Sequence, residues 1–488
     1  MSKPAKVIPI MSASAEVEDS AQFVSMYQKQ PTIYPRAVKG WFANWRWVFV
    51  WLTQLLFYGL PWLQWSGRQA VLFDLDAQRF YIFGLLLYPQ DLIFLAALLV
   101  LSALALFFFT AVAGRLWCGY TCPQTVYTEI FMWAERKIEG DRVARMRLDQ
   151  QPWRWSKIWR KGAKHSAWLS IALFTGFSFV GYFTPIRELA ADVASWNLSG
   201  WNAFWVLFYG AATYGNAGFL REQMCKYMCP YARFQSALID KDSLIITYDA
   251  KRGDPRGSRS RKADSAAHGL GDCIDCTLCV QVCPTGIDIR NGLQNECIGC
   301  AACIDVCNDV MDKMGYAKGL IRYSTENGVV NGWTRLQMFK RALRPRVLIY
   351  GAVLSAASVT FAASVAMRSP FKFDVVKDRG ALARVVEEGA VENVYRIQIM
   401  NRTEAPQTYR VAASGIDGLE VVATPASAGP AAVTSTSVSL RLPFAVAQGL
   451  AGRSVPVMFA VTGVEPTSGT SADRAAIQFE KSTFFIPR

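Results

Sequence analysis

Five stretches of the chain are almost uninterruptedly apolar, and each is close to the length that crosses a bilayer. They lie at residues 45–65, 88–113, 166–185, 200–220 and 347–367. A helix needs about 20 apolar residues to span the hydrocarbon core of a membrane. The pattern therefore predicts five transmembrane helices. The fourth stretch contains Asn202, Tyr209 and Tyr214, so a buried helix is the alternative at that place.

Lysine and arginine are distributed unevenly between the loops that join these stretches. The loop 136–164 carries ten of them and the stretch 221–346 nineteen, whereas the loops 66–87 and 186–199 carry two and one. Cytoplasmic loops are enriched in Lys and Arg. The distribution predicts a multi-pass protein with its N-terminus and residues 221–346 in the cytoplasm and its C-terminus in the periplasm. The first 30 residues are polar, so we expect no cleavable signal peptide.

The pattern changes after the fifth apolar stretch. Segments 394–401, 407–413 and 433–443 alternate apolar and polar residues, and clusters of turn residues separate them. Such alternation over short runs is typical of antiparallel strands with one buried face. The end of the chain is therefore predicted to form a small all-β sandwich.

Composition supports a membrane protein. Apolar residues make up 52% of the 488, with 16 Trp and 29 Phe, and the formal net charge is +14. This mixture is too apolar for an ordinary soluble enzyme of that size. The basic residues lie beside the apolar stretches, where membrane topology accounts for them. We therefore expect the lipid bilayer as a partner and no nucleic acid.

Two runs with the spacing C-x2-C-x2-C-x3-C carry the clearest chemical signal. They consist of Cys273, Cys276, Cys279 and Cys283, and of Cys297, Cys300, Cys303 and Cys307. This is the ligand spacing of bacterial two-cluster ferredoxins, in which the fourth cysteine of each run binds the other cluster. Structural zinc usually uses two separated C-x2-C pairs, so zinc fits this spacing less well.

The ferredoxin pattern predicts which cysteines share a [4Fe–4S] cluster. One cluster is expected on Cys273, Cys276, Cys279 and Cys307. The other is expected on Cys297, Cys300, Cys303 and Cys283. Pro284 follows the first run as the pattern requires, whereas Asn308 follows the second. Clusters of reduced thiolates fit the cytoplasmic location that the Lys and Arg distribution predicts.

The other four cysteines form two further motifs, C-G-Y-T-C-P at 118–123 and C-K-Y-M-C-P at 225–230. Each follows an apolar stretch and precedes an amphipathic one, 124–139 or 231–239, which indicates an internal repeat. Proline favours the first helical position. The residues before the prolines are therefore candidate helix N-caps, where the helix dipole lowers the pKa of a thiol. We call Cys118, Cys122, Cys225 and Cys229 the CP quartet.

Three interpretations of the CP quartet remain open from the residues alone. Its members could be buried structural cysteines, a metal or redox centre built jointly by the two repeats, or reversible disulfides. Arg115 and Lys226 would favour thiolates in the second case, and soft thiolates select Cu(I), zinc or iron–sulfur. A membrane b-type haem is not expected, because only His165 and His268 are present. No nucleotide-binding motif appears either.

Three segments resemble the CcoG/FixG/RdxA family. They are GRLWCGYTCPQTVYTEIFMWAERKIEGDR (114–142), KYMCPYARFQSALID (226–240) and CIGCAACIDVCNDVMDKMGY (297–316). The resemblance covers roughly residues 35–488, and it includes the Asn after Cys307. The C-x3-C-P motifs also resemble those of membrane ferredoxins that feed nitrate and nitrous oxide reductases, which favours electron transfer in general.

The resemblance implies a polyferredoxin of the bacterial inner membrane with a periplasmic immunoglobulin-like tail. It implies a multi-domain organisation with an α-helical transmembrane bundle and an inserted two-cluster ferredoxin domain. The predicted parts are a cytoplasmic tail (1–40), a four-helix membrane region with both C-x3-C-P motifs (41–240), the ferredoxin domain (241–346), a fifth transmembrane helix (347–368) and the periplasmic domain (369–488).

The family is associated with assembly of cbb-type haem–copper cytochrome c oxidase and with reduction of Cu(II) to Cu(I). We therefore expect a cupric reductase with two [4Fe–4S] clusters, and copper or a further metal centre at the CP quartet, whose cysteines would be catalytic. Expected partners are oxidase assembly factors or copper chaperones and an unidentified electron donor. The alternatives are an electron-transfer subunit feeding another membrane redox complex and a non-catalytic assembly scaffold.

Overall fold

The computed structural model describes residues 32–261, 269–378, 380, 382–464 and 476–487. Most of the predicted N-terminal tail and residues 262–268, which include His268, lie outside the described residues. The remaining chain divides into an N-terminal helical region, a central cysteine-rich region, one long helix and a C-terminal β-domain.

The N-terminal region is mostly helical. Its helices are α1 (Trp41–Gly59), α2 (Leu92–Ala113), α3 (Leu116–Tyr120), α4 (Pro123–Ile138), α5 (Arg142–Gln150), α6 (Trp155–Val180), α7 (Ile186–Ala194), α8 (Gly200–Gly215), α9 (Arg221–Gln223) and α10 (Pro230–Leu238). Short strands lie between α1 and α2, namely β1 (Gln64–Trp65), β2 (Arg68–Gln69), β3 (Val71–Asp74), β4 (Arg79–Ile82) and β5 (Leu85–Leu87). Turns of π-helix occur at Asn216–Leu220 and Met224–Met228.

The central region combines short helices with one strand pair. Its elements are β6 (Ile245–Tyr248), α11 (Ala250–Gly253), α12 (Leu278–Gln281), α13 (Ala302–Met314), β7 (Ile321–Ser324), α14 (Glu326–Val330) and α15 (Arg335–Ala342). Strands β6 and β7 pair antiparallel and bring the two ends of this region together. The long helix α16 (Pro345–Ala366) follows. Turns of 3-10 helix lie at Leu60–Trp62, Pro89–Asp91, Ile289–Asn291 and Glu387–Gly389.

Two described helices, Pro89–Ala113 and Pro345–Ala366, are long and apolar enough to cross a membrane. The other predicted spans form α1, α6 and α8, which do not meet both criteria. Helix α6 begins at Trp155, 11 residues before the predicted stretch 166–185, so its first half contains lysines. Helix α8 has only 16 residues. That α1, α6 and α8 cross the membrane therefore stays a prediction.

Segments that are predicted to lie on the same side of the membrane contact one another, while the orientation itself stays a prediction. At one end, Tyr34 donates a hydrogen bond to Asp149 (2.7 Å) and the backbone N–H of Arg36 bonds the carbonyl of Gln281 (2.9 Å). At the other end, the β3–β5 sheet contacts the C-terminal domain, where Met400 packs into its core. The predicted cytoplasmic segments thus lie together, as do the predicted periplasmic ones.

The C-terminal domain is the predicted sandwich. Its elements are β8 (Phe371–Lys377), β9 (Arg384–Val385), β10 (Val391–Asn401), β11 (Gln407–Ser414), β12 (Glu420–Ala423), β13 (Ala426–Ala428), β14 (Val433–Leu442), α17 (Phe444–Gly449), β15 (Ser454–Val464) and β16 (Ile477–Phe485). One sheet has the order β12-β14-β10-β8, with β9 beside β10, and the other has the order β13-β11-β15-β16. Alternate residues such as Tyr395, Ile397 and Ile399 are fully buried between them, as the alternation predicted.

Candidate metal centres

The crossed grouping of the ferredoxin cysteines is present in the structure. Cys273, Cys276 and Cys279 line one small cavity together with Cys307 from α13, and apolar side chains such as Leu320 complete its wall. Burial and the three neighbouring thiols raise the pKa of Cys307 to about 12. We call these four cysteines the first tetrad. Their arrangement fits a [4Fe–4S] cluster, in which one thiolate meets each iron.

The second tetrad consists of Cys283, Cys297, Cys300 and Cys303. All four border a second cavity, which Cys279 of the first tetrad also borders, so the two cavities are adjacent. Burial raises the pKa of Cys297 to about 12, and it also raises that of Cys303 well above the usual value of a thiol. The structure therefore brings together the two groups that the sequence predicted. Their role as ligands stays a prediction.

The two cysteine runs also share their backbone conformation. Asp275 and Gly299 precede the second cysteine of their runs and have φ of +52° and +71°. Thr277 and Ala301 follow that cysteine and have φ of +56° and +60°. Alternation of right- and left-handed residues turns successive N–H groups toward one point and forms an anion-binding concavity. Each run therefore forms the same loop around its own cavity.

The two C-x3-C-P motifs are structurally equivalent. The N–H of Cys122 bonds the carbonyl of Trp117 (3.0 Å), and the N–H of Cys229 bonds that of Met224 (2.8 Å). Each bond reaches back five residues, a π-helical spacing that often occurs at functional sites. Cys122 is the N-cap of α4 and Cys229 that of α10. The internal repeat and the helix starts at the prolines agree with the sequence prediction.

The four members of the CP quartet converge. Burial raises the pKa of Cys225 to about 12, and the nearby thiols of Cys122, Cys118 and Cys229 contribute smaller shifts in the same direction. Burial also raises the pKa of Cys118 to about 11. Two cysteines from each repeat therefore face one common place. This is the joint arrangement that the repeat suggested.

The expectation of a lowered thiol pKa at the helix N-caps was wrong for Cys122. Burial raises the pKa of its thiol, and this effect exceeds the opposing hydrogen bonds from the backbone N–H groups of Gln124 and Thr125. Desolvation disfavours the charged form of a thiol. The helix N-terminus does act in the predicted direction, but it is the smaller effect. Arg115 lowers the pKa of Cys118 and Cys225, as expected.

Gln235 is a member of this site that the sequence analysis missed. Its side chain is fully buried, and its Nε2 donates to the Sγ of Cys118 (3.2 Å). The residue lies on α10, in the repeat opposite to Cys118, so the contact joins the two halves of the site. Residues that orient metal ligands are commonly of this kind. A glutamine on an amphipathic helix gives no signal of such a contact in the sequence.

The CP quartet lies directly against the second tetrad. The backbones of the two sites are so close that a Cβ on Gly119 would lie 2.7 Å from the carbonyl oxygen of Gly299. Arg115 fastens this contact, because its guanidinium donates to the carbonyl oxygens of Cys297 (3.1 Å) and Ala232 (3.1 Å). Helix α3, helix α10 and the loop of the second tetrad therefore meet at one arginine.

Residues of both sites line a common cleft. Cys225 of the CP quartet and Cys300 of the second tetrad both line it, together with Arg46, Glu129 and Arg221. The guanidinium of Arg46 lowers the pKa of Cys300, although burial raises it overall. A fixed positive charge thus lies beside the second tetrad.

In the described ranges, the structure has no group of three or more His, Cys, Asp or Glu residues that could hold a single metal ion. The two ferredoxin tetrads share this property with the CP quartet. A cube meets its ligands at four separate corners, whereas a single tetrahedral ion with bonds of about 2.3 Å draws four sulfurs into contact. His165 takes no part, since its Nδ1 lies 2.9 Å from the hydroxyl of Tyr214 within an aromatic cluster.

Comparison with protein-family models gives three matches. Residues 220–326 match a 4Fe-4S dicluster domain, and residues 95–140 match a 4Fe-4S binding domain. Residues 361–487 match the immunoglobulin-like fold at the C-terminus of FixG. The first of these contains both tetrads, so the chain carries a 4Fe-4S dicluster domain, and its C-terminal domain is immunoglobulin-like.

Curated relatives match most of the chain. Nitrogen fixation protein FixG of Rhizobium meliloti is 36% identical over 422 residues, which cover 80% of each chain. Protein RdxA of Cereibacter sphaeroides is 38% identical over 404 residues, covering 81% of this chain and 84% of RdxA. A crystal structure of a FixG-related protein from Vibrio parahaemolyticus aligns with 24% of this chain at 21% identity and a TM-score of 0.20. On the evidence of the long alignments with FixG and RdxA, this chain is a member of the FixG/RdxA family of iron–sulfur proteins.

Proposed function

We propose that this protein carries electrons from its ferredoxin domain to the CP quartet and there reduces Cu(II) to Cu(I), for the assembly of a cbb-type cytochrome c oxidase. The observation that carries the proposal is the close packing of the Cys118–Tyr120 turn on the loop Ile298–Cys300. The sequence separates these segments by about 180 residues, and the fold places them in backbone contact.

The chain's own residues arrange three cysteine sites in a row. The adjacent cavities of the two tetrads share Cys279, and the second tetrad shares a cleft with the CP quartet. When bound, [4Fe–4S] clusters supply one-electron chemistry at potentials set by charge, hydrogen bonds and exposure. Cys276 is exposed, whereas Cys300 is buried. The first tetrad is therefore the place where a cytoplasmic carrier could deliver electrons.

Copper enters this scheme as the substrate. Each Cu(II) takes up one electron and becomes Cu(I), and that electron comes from a cytoplasmic one-electron carrier or a membrane quinol. Soft thiolates favour Cu(I) over harder ions. The proposed partners are therefore an electron donor on one side and copper chaperones or oxidase assembly factors on the other.

The second candidate is electron delivery to another membrane redox complex without copper chemistry. The same row of cysteine sites supports it, because an electron path does not identify its final acceptor. The third is an assembly scaffold with structural clusters. The exposure of Cys276 favours electron exchange over this scaffold role, since a purely structural cluster needs no accessible edge.

The test is Cu(II) reduction by the purified full chain. The protein is reduced with dithionite under anaerobic conditions, freed of reductant and mixed with Cu(II) and a chromophoric Cu(I) chelator. We expect one Cu(I) per stored electron, and a loss of most of the rate in Cys118→Ser/Cys225→Ser. Met228→Leu, which changes an exposed residue between Cys225 and Cys229, is the matched control.

Two results would contradict the copper proposal. One is an unchanged rate in Cys118→Ser/Cys225→Ser. The other is a wild-type protein that stays reduced in the presence of Cu(II). Clusters that accept no electron from dithionite would instead support the scaffold.

A further inference from the structure

We infer that Cys118, Cys122, Cys225 and Cys229 ligate a third [4Fe–4S] cluster, in series with the cluster of the second tetrad. This deepens the proposed function and rests on it only for the direction of electron flow. From the sequence, a copper or iron–sulfur centre, structural cysteines and reversible disulfides all remained open for the CP quartet.

The number of thiolate ligands supports a cluster shared by the two repeats. The 4Fe-4S binding domain matched at residues 95–140 contains two cysteines, Cys118 and Cys122. A cube held by thiolates takes four, so this segment alone is half of a site. The second repeat supplies the other half, since its motif has an equivalent backbone conformation and the helix that Cys229 caps contacts Cys118 through Gln235.

The CP quartet resembles the two ferredoxin tetrads in how its thiols are arranged for metal binding. Within the ranges that the structure describes, neither the CP quartet nor either tetrad is among groups of three or more His, Cys, Asp or Glu residues that could hold a single metal ion. A copper ion bound by all four thiolates would require such a group. The three sets of cysteines are alike in this respect, and two of them lie in a matched dicluster domain. The shared arrangement favours the same occupant.

The surroundings of the CP quartet suit an anionic cluster. A cube bound by four thiolates is negatively charged, and the N-termini of α4 and α10 both point their positive ends at the CP quartet. The guanidinium of Arg115 adds a cation. Gln235 donates an N–H to the Sγ of Cys118, and hydrogen bonds to cluster sulfur set its potential.

A cluster at this place changes how copper is reduced. The cysteines of the CP quartet would all be occupied by iron, so Cu(II) would receive its electron from the cluster across a short distance rather than as a ligand of these thiolates. The polar cleft beside Cys225, which Glu129 and Glu222 also line, is where a cation could approach.

Iron and acid-labile sulfide content of the anaerobically purified full chain tests the inference. We expect about twelve irons per chain and an equal number of sulfides, against about eight for two clusters. Cys118→Ser/Cys225→Ser should lose about one third of the iron and keep the signals of the two ferredoxin clusters in electron paramagnetic resonance. Met228→Leu should retain all of the iron.

In the reduced wild type, magnetic coupling between neighbouring clusters should broaden the electron paramagnetic resonance signals, and the double variant should lose part of that broadening.

About eight irons in the wild type, or one copper per chain removed by Cys118→Ser/Cys225→Ser with iron unchanged, would overturn the inference while leaving copper reduction standing. About twelve irons in a protein that fails to reduce Cu(II) would support the third cluster and contradict the proposed copper reduction. Mössbauer spectra of the wild type give the cluster count without any variant, so poor folding of the double variant does not prevent a decision.

Discussion

At the scale of single residues, Arg46 is the charge with the most direct link to redox chemistry. Its side chain is 8% exposed and lies beside Cys300. Reduction adds a negative charge to a cluster, and a nearby cation stabilises that form, so Arg46 would raise the reduction potential of a cluster held by the second tetrad. We expect Arg46→Gln to shift this potential to a more negative value in a titration followed by electron paramagnetic resonance.

Arg36→Gln is the matched control for this prediction. It removes the same charge from an exposed residue that lines a neighbouring cleft with Arg46. Water and salt screen an exposed charge far more than a buried one. Equal shifts in the two variants would show that overall charge, and not the position of Arg46, sets the potential.

At the scale of elements, the start of α1 depends on a residue of the ferredoxin domain. Helix α1 follows Gly40, which has no side chain to cap it. Asp305 on α13 takes that role, since its carboxylate accepts from the N–H groups of Phe42 (3.2 Å) and Ala43 (2.7 Å). Loss of a capping side chain costs about 1–2 kcal/mol. We expect Asp305→Ala to lower the midpoint of thermal unfolding measurably in detergent.

Asp309→Ala serves as the comparison, because it removes a carboxylate from the same helix whose exposed partner is Lys313. Such surface pairs contribute about 0–1 kcal/mol. If both variants unfold at the wild-type temperature, the contact between α1 and α13 does not limit stability.

The elements also show what sequence reasoning can and cannot reach. Helices α4 and α10 begin at their prolines as predicted, and the strands β10, β11 and β14 cover the alternating segments. These features could be predicted because they depend on residues close together in the sequence. The crossed tetrads could be predicted in the same way from the spacing of the cysteines. The lysine-rich first half of α6 was missed because its polar face has partners, such as Glu139 for Lys161 (3.0 Å), that only the fold supplies. Gln235 and Asp305 were missed for the same reason.

At the scale of the whole molecule, a buried ion pair joins the immunoglobulin-like domain to the start of α2. Asp91 and Arg402 form it, and their side chains are 2% and 3% exposed. Tyr88 adds a hydrogen bond to the carbonyl of Asn401 (3.0 Å), and Arg368 bonds the carbonyl of Leu86 (2.6 Å). The domain is therefore fixed to the membrane region rather than tethered by the linker after α16 alone.

Asp91→Asn should release this domain. Asparagine has nearly the same size as aspartate, but it leaves the guanidinium of Arg402 buried without a counter-charge, which costs about 3–5 kcal/mol. We expect faster cleavage by a protease in the linker 366–370 and separate unfolding of the domain in calorimetry.

Glu404→Gln is the control. It breaks an ion pair with Arg68 that also joins the two parts but is partly exposed, so it should change the cleavage rate and the unfolding little. Equal protease resistance of wild type and Asp91→Asn would mean that apolar contacts around Met400 suffice to hold the domain in place.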